Sequence, residues 1–149
     1  MPFDCNLSAG DCIIELGLSE ALDHKWLESQ RYGEDLGLIG VRDWCQRHWK
    51  TFQRFRRIDH LFGDLRVRQF TDEQLGVWKG RDRQYGSLFD LVLGAFECGM
   101  ENLEFVNWVR EQQLPRDEAY EIFTTLDPNC VRMEYLPIIE RAEGRLVLA

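Results

Sequence analysis

The sequence predicts a mostly α-helical fold, a single helical domain over residues 1–149 with about five or six helices around one long central helix. Apolar residues recur at helical spacing in several segments, and glycine or proline separates these segments. The 149 residues, 44% of them hydrophobic, are enough for one ordinary core. A small accessory β element is the alternative for residues 12–16, 65–70 and 145–149, which resemble short strands.

The N-terminal half predicts two helices joined by a glycine-containing turn. The first begins after Ser19, a favourable N-cap residue, and ends at residue 32 because Gly33 follows. The second, over residues 36–62, is the long helix, and Gly63 ends it. A capping-box pattern at Thr71 predicts a short turn or helix to residue 79, and residues 81–86 form a polar loop.

The C-terminal half predicts shorter helices. Residues 87–98 and 101–113 form two of them, separated by Gly99 and expected to pack antiparallel. Pro115 begins the next helix, which stops at residues 127–129, an Asp-Pro-Asn sequence. A last helix over residues 131–143 contains Pro137, which either kinks this helix or marks its true start.

The long helix concentrates positive charge in an acidic chain. The net charge is −8, yet residues 42–68 hold eight Arg and Lys against three Asp, so the remainder of the chain sums to −13. On a helical wheel, four cations lie opposite the apolar stripe at a spacing of about one turn. We define the basic face of the long helix by these cations and two flanking rings: Arg47, Lys50, Arg54, Arg57, Trp44 and Trp49.

The basic face predicts a non-enzymatic interaction module that binds a protein partner or a second copy of itself, with the two Trp as anchors. RNA or DNA binding through the same face is the first alternative, because cations one turn apart can neutralise phosphates and Trp can stack on bases. The face can instead pack inside the monomer against residues 97–143, which hold eleven Asp and Glu against four Arg, or it can simply be solvated. The net charge of the chain favours these two interpretations over nucleic-acid binding.

Catalytic and metal-binding patterns are sparse, and we expect no catalytic residue, metal or cofactor. The sequence contains neither H-E-x-x-H, nor G-x-S-x-G, nor a nucleotide-binding glycine motif. Glu20, His24 and Glu28 are spaced one turn apart and predict a salt-bridge ladder on an exposed face.

A small enzyme with a buried pocket around His48 or Asp59 is the second alternative. Both residues project toward the apolar stripe of the long helix, where polar groups need partners. Arg56 is expected to pair with Asp59. Without this partner, burial would raise the pKa of Asp59. The helical rise separates His48 from Asp59 by roughly 16 Å, so the two cannot form a dyad.

The cysteine pattern predicts free thiols in a reducing compartment. Five Cys are scattered without a C-x-x-C pair, and Cys45 and Cys98 are expected to fill the core as small apolar residues. We see neither a signal peptide nor a segment long enough to cross a bilayer. A soluble cytoplasmic protein with no membrane partner is therefore expected.

Overall fold

Six α-helices make up the described part of the chain, which in this computed structural model comprises residues 10–80 and 86–148. They are α1 Ile13–Tyr32, α2 Leu38–Phe62, α3 Ser87–Glu97, α4 Asn102–Glu111, α5 Arg116–Leu126 and α6 Leu136–Leu148. Short 3-10 helices occupy Asp72–Gln74 and Pro128–Val131. The predicted mostly helical, single-domain fold is thereby confirmed. None of these helices combines the length and the apolarity needed to cross a membrane.

Helices α1 and α2 lie antiparallel and approach each other closely at two glycines. A Cβ atom added at Gly40 would lie 3.0 Å from Lys25 Cα, and one added at Gly17 would lie 2.8 Å from Trp49 Cζ3. Larger residues at either position would push the helices apart. Gly40 and Gly17 are therefore the positions at which the absence of a side chain lets the two helices approach.

The remaining helices cover α2 on its other sides and complete one hydrophobic core. Helix α2 contacts α3, α5 and α6 in addition to α1. Phe96 and Phe105 are fully buried, and Phe105 stacks on Phe123 with ring centroids 3.8 Å apart. Because α2 reaches all of these neighbours, its side chains decide how the domain is assembled.

The helix boundaries correct several predictions. Helix α1 begins at Ile13 rather than after Ser19, and α6 continues to Leu148, so residues 12–16 and 145–148 are not strands. Residues 65–70 contribute one isolated β-bridge between Asp11 and Val67, and the described residues contain no strand. Pro137 occupies the first turn of α6, which makes it the marker of the true helix start.

Other boundaries differ less from the prediction. Helix α2 starts two residues later than predicted, and the 71–79 segment contains only the 3-10 turn Asp72–Gln74. Gly63 ends α2 in the left-handed conformation, with φ 79°, as predicted. Most of the predicted polar loop, residues 81–85, lies outside the described residues.

His60 fastens the segment after α2 to the end of that helix. Its ring is fully buried; Nδ1 accepts a hydrogen bond from the Val67 N–H at 3.1 Å. Nε2 then carries the proton and donates to the Thr71 carbonyl at 2.8 Å. Burial lowers the pKa of His60, and the nearby Arg57 charge adds to this effect, so the neutral ring is the form that fits the fold.

We expect acidification to destabilise the fold through His60. Because its pKa is lowered in the folded state, the unfolded chain binds a proton below about pH 6.5 that folded His60 does not. The free energy of unfolding should therefore fall as the pH is lowered from about 7.5 to about 5. Urea denaturation across this range measures the free energy of unfolding, which should depend less on pH in His60→Gln than in the wild type. Glutamine keeps a donor and an acceptor but does not titrate.

Gln46→Ala is the matched control, because it changes an exposed residue of α2 that carries no titratable group. It should leave the pH dependence as in the wild type. If the free energy of unfolding depends on pH equally in the wild type and in His60→Gln, the pH dependence does not come from His60.

Candidate functional site

The basic face is largely internal. Arg54 is 4% exposed and Arg57 is 1% exposed, so the prediction that they lie on an accessible surface is wrong. The alternative that the face packs inside the monomer is confirmed for these two residues. Their guanidinium groups are buried because they bind backbone carbonyls at the ends of neighbouring helices.

Arg54 joins α2 to the junction between α3 and α4. Its Nη1 donates to the carbonyls of Phe96 at 2.8 Å and Met100 at 3.1 Å. Its Nη2 pairs with Glu101 Oε1 at 3.0 Å, and its charge lies 4.7 Å from the centroid of the Phe96 ring. Carbonyls in the last turn of a helix lack partners within it, and a cation also favours the negative end of the helix dipole.

Arg57 makes the equivalent contact with the end of α5. Its Nε donates to the Leu126 carbonyl at 3.0 Å, and its Nη2 donates to the Thr125 carbonyl at 2.9 Å and to Gln74 Oε1. Burial lowers the pKa of this guanidinium. Its function is structural: one side chain satisfies helix-end carbonyls and ties the 72–74 turn to the core.

The predicted aromatic anchors are also core residues. Trp44 is 6% exposed and Trp49 is 2% exposed, so neither ring projects from the surface to insert between bases or to fill a partner's pocket. Of the basic face, only Arg47 and Lys50 are exposed, and Arg47 Nε pairs with Asp43 Oδ1 at 3.1 Å. Two of the four predicted cations and both predicted stacking groups are therefore not accessible to a nucleic acid.

An open groove between α1 and α2 is the candidate site that remains. Its volume is about 410 Å³. We call it the α1–α2 groove, and it is lined by Glu20, Asp23, His24, Leu27, Trp44, His48, Thr51, Phe52, Phe55 and Arg56. Its length follows the two helices, so it suits an elongated occupant.

Apolar side chains run along the groove. Leu27 is 60% exposed on α1 and Phe55 is 40% exposed on α2. Between them, the half-buried Phe52 packs edge-to-face on Trp44 with centroids 5.3 Å apart. Leu27 was not predicted as a site residue. Its neighbour Trp26 is also exposed, at 57%, so the sequence of α1 alone does not show which of the two lies in a groove.

The α1 rim of the groove carries negative charge without a counterion. Glu20 and Asp23 are exposed, and neither forms an ion pair within residues 10–80 and 86–148. His24 Nε2 bonds Asp43 Oδ2 at 2.8 Å, so the predicted exposed ladder with Glu20 and Glu28 is wrong. Helix α2 lies close enough to offer His24 a cross-helix partner, which the sequence of one helix does not reveal.

The residues of the enzyme alternative do not form a buried site. His48 is exposed at the groove edge, so its predicted burial is wrong, and Asp59 does not line the groove. Burial raises the pKa of Asp59, while Arg56 opposes this shift. Arg56 Nε lies 3.0 Å from Asp59 Oδ2, which confirms the predicted ion pair, although the contact is poorly aligned as a hydrogen bond. Among the described residues no cluster of His, Cys, Asp or Glu could hold a metal ion.

The thiols divide into buried and exposed ones. Burial raises the pKa of Cys45 and of Cys130 to about 11, so both are protonated and unreactive at neutral pH. Cys45 fills the core as predicted, but Cys98 is exposed after the end of α3, which corrects the prediction that it is buried. Neither Cys45 nor Cys98 lines the α1–α2 groove.

Replacing Arg57 should destabilise the domain far more than replacing Arg47. Arg57→Ala removes the guanidinium donors from the Thr125 and Leu126 carbonyls and leaves Leu126 only the weak Cys130 thiol donor at 3.9 Å, so the free energy of unfolding should fall by about 3 kcal/mol or more. Arg47→Ala removes one exposed ion pair and should change it by less than about 0.5 kcal/mol. Urea denaturation measures both; similar small losses for the two variants would refute the internal role of Arg57.

Comparison with known proteins finds no relative. No protein-family model matches the chain, no curated protein matches it, and no solved structure matches it. The case for a function therefore rests on the side chains themselves: an apolar groove and an acidic rim whose Glu20 and Asp23 form no ion pair within the described residues.

Proposed function

We propose that this chain is a non-catalytic protein-interaction module whose α1–α2 groove binds one amphipathic helix of a partner protein. The apolar face of that helix packs on the groove floor. Its edge toward α1 carries Lys or Arg. The observation that carries the proposal is the combination of exposed apolar side chains and an unpaired acidic rim in one elongated groove.

The shape of the groove supports a helical occupant. The α2 wall runs from Trp44 to Phe55, and eleven residues of helical rise span roughly 16 Å, or about three turns. A helix of this length presents apolar residues at i, i+3, i+4 and i+7 on one face. Leu27 and Phe55, near opposite ends, match the outer anchors of such a face.

Charge supports a basic partner rather than a second copy of this chain. Glu20 and Asp23 outnumber Arg56 in the groove, and the whole chain carries −8. Two copies related by a two-fold axis would bring the same negative lining together, which opposes association. A partner with Lys or Arg at the α1 edge neutralises this lining and gains in association rate.

The cytosol is the compartment that suits this module. Cys12, Cys45, Cys98 and Cys130 are free thiols. Free thiols persist where glutathione and thioredoxin keep them reduced.

The proposal can be tested with a displayed library of random helical peptides of about 16 residues, long enough to exceed the three turns of the groove. Selection against the wild-type chain should enrich peptides that combine an apolar face at i, i+4 and i+7 with Lys or Arg along one edge. Binding of an enriched peptide should weaken about tenfold or more in Leu27→Glu and in the double variant Glu20→Lys, Asp23→Lys.

Leu103→Glu is the matched control, because Leu103 is an exposed leucine on α4 outside the groove. This variant should bind the same peptides as the wild type. Enrichment of acidic peptides, or binding that survives Leu27→Glu, would overturn the proposal. If sedimentation shows that the wild type is a dimer and that Leu27→Glu is a monomer, the proposed partner helix is wrong. The groove would then bind a second copy of this chain.

A further inference from the structure

A second cavity lies across α2 from the α1–α2 groove. Its volume is about 460 Å³. Its walls are α2, the α3–α4 turn at Gly99 and Glu101, and residues 131–135 before α6. We call it the α2 cavity. A volume of this size is typical of sites for small organic ligands.

The floor of the α2 cavity is apolar and held in place. Trp49 lies in it and is 2% exposed, and its Nε1–H donates to the Met133 carbonyl at 2.6 Å. Gln53 bonds both backbone groups of the same residue: its Nε2 donates to the carbonyl at 3.3 Å, and its Oε1 accepts from the N–H at 2.9 Å. These three contacts fix residues 131–135 against α2, so the cavity is pre-formed rather than created by a ligand.

The rim of the α2 cavity carries an excess of positive charge. Glu101 is shared by two guanidinium groups: its Oε1 pairs with Arg54 and its Oε2 pairs with Arg132. Lys50 adds a third cation and forms no ion pair within residues 10–80 and 86–148, while Glu134 adds a second carboxylate. The lining therefore has a net charge of +1 in a chain of −8.

The positive net charge of its lining distinguishes the α2 cavity from three other hollows in the described part of the chain. The α1–α2 groove has one more carboxylate than cations among its lining residues. The hollow beside Ile39 and the hollow beside Trp26 have the same excess of one carboxylate. An organic anion would therefore meet favourable charge at the α2 cavity and unfavourable charge at the other three.

We propose that the α2 cavity binds a small organic anion with an apolar body. The apolar body lies on Trp49 and Met133, and the carboxylate or phosphate lies at the rim near Lys50 and Arg132. Lys50 supplies an unshared ammonium, and Arg132 can turn from Glu101 to the ligand because Arg54 still neutralises that carboxylate. This inference is independent of the helix-binding groove, since it uses the opposite side of α2.

The test uses three probes with one ring system: 1-naphthoate, 1-naphthyl phosphate and the neutral 1-naphthalenemethanol. Each is titrated into the full chain, with binding followed by the indole N–H signal of Trp49 in NMR spectra. Either anion, or both, should bind at least about tenfold more tightly than the alcohol, and the tighter one identifies the anionic group. Lys50→Gln and Arg132→Gln should each weaken anion binding about tenfold.

Lys79→Gln is the matched control, because it removes the same charge from an exposed residue outside the cavity. It should leave the affinity unchanged. The proposal is overturned if the alcohol binds as tightly as the anions, if Lys50→Gln and Arg132→Gln have no effect, or if no probe shifts the Trp49 signal at millimolar concentration. It is also overturned if the probes perturb Trp44 in the groove instead of Trp49.

Discussion

The domain depends on two guanidinium groups that α2 inserts among the ends of its neighbours. Arg54 binds the Phe96 carbonyl in the last turn of α3 and the Met100 carbonyl in the turn that follows, and Arg57 binds the Thr125 and Leu126 carbonyls at the end of α5. Carbonyls at helix ends lack the partners that the helix interior provides, and these guanidinium groups supply strong donors to them inside the core. Arginine suits this position because its planar fork donates in several directions from one buried side chain. Residues 57–62 of α2 are therefore enclosed, and the exposed side chains of this helix all lie between residues 39 and 55.

That division determines where ligands can bind. One side of the part of α2 before residue 57 faces α1 and forms the groove that includes Leu27 and Phe55. Another side meets residues 131–135 and forms the α2 cavity around Trp49. The two hollows differ in charge and in enclosure, so they suit different ligands. A long acidic groove favours a basic helix, whereas a more enclosed cationic cavity favours an organic anion.

Much of the fold follows from local sequence signals, while the site does not. Gly63 and Pro115 marked helix ends correctly, because positive φ and a missing N–H act within a few residues. Residues 12–16 and 145–149 resembled strands, and tertiary packing overrode that local preference in the described part of both. The helical wheel shows on which side of α2 the side chains of Arg54 and Arg57 project, but it does not show which other helices pack against that side. Only the positions of α3 and α5 reveal that this direction is covered.

Hydrogen exchange at arginine tests the central claim most directly. In NMR spectra of the native chain, the Nε–H of Arg57 should exchange with solvent orders of magnitude more slowly than that of the exposed Arg47, because opening it requires α5 to leave α2. Its protection should approach that of the backbone amides in the core. An Arg57 Nε–H that exchanges as fast as that of Arg47 would contradict the buried guanidinium contacts on which this account of the fold and its two sites depends.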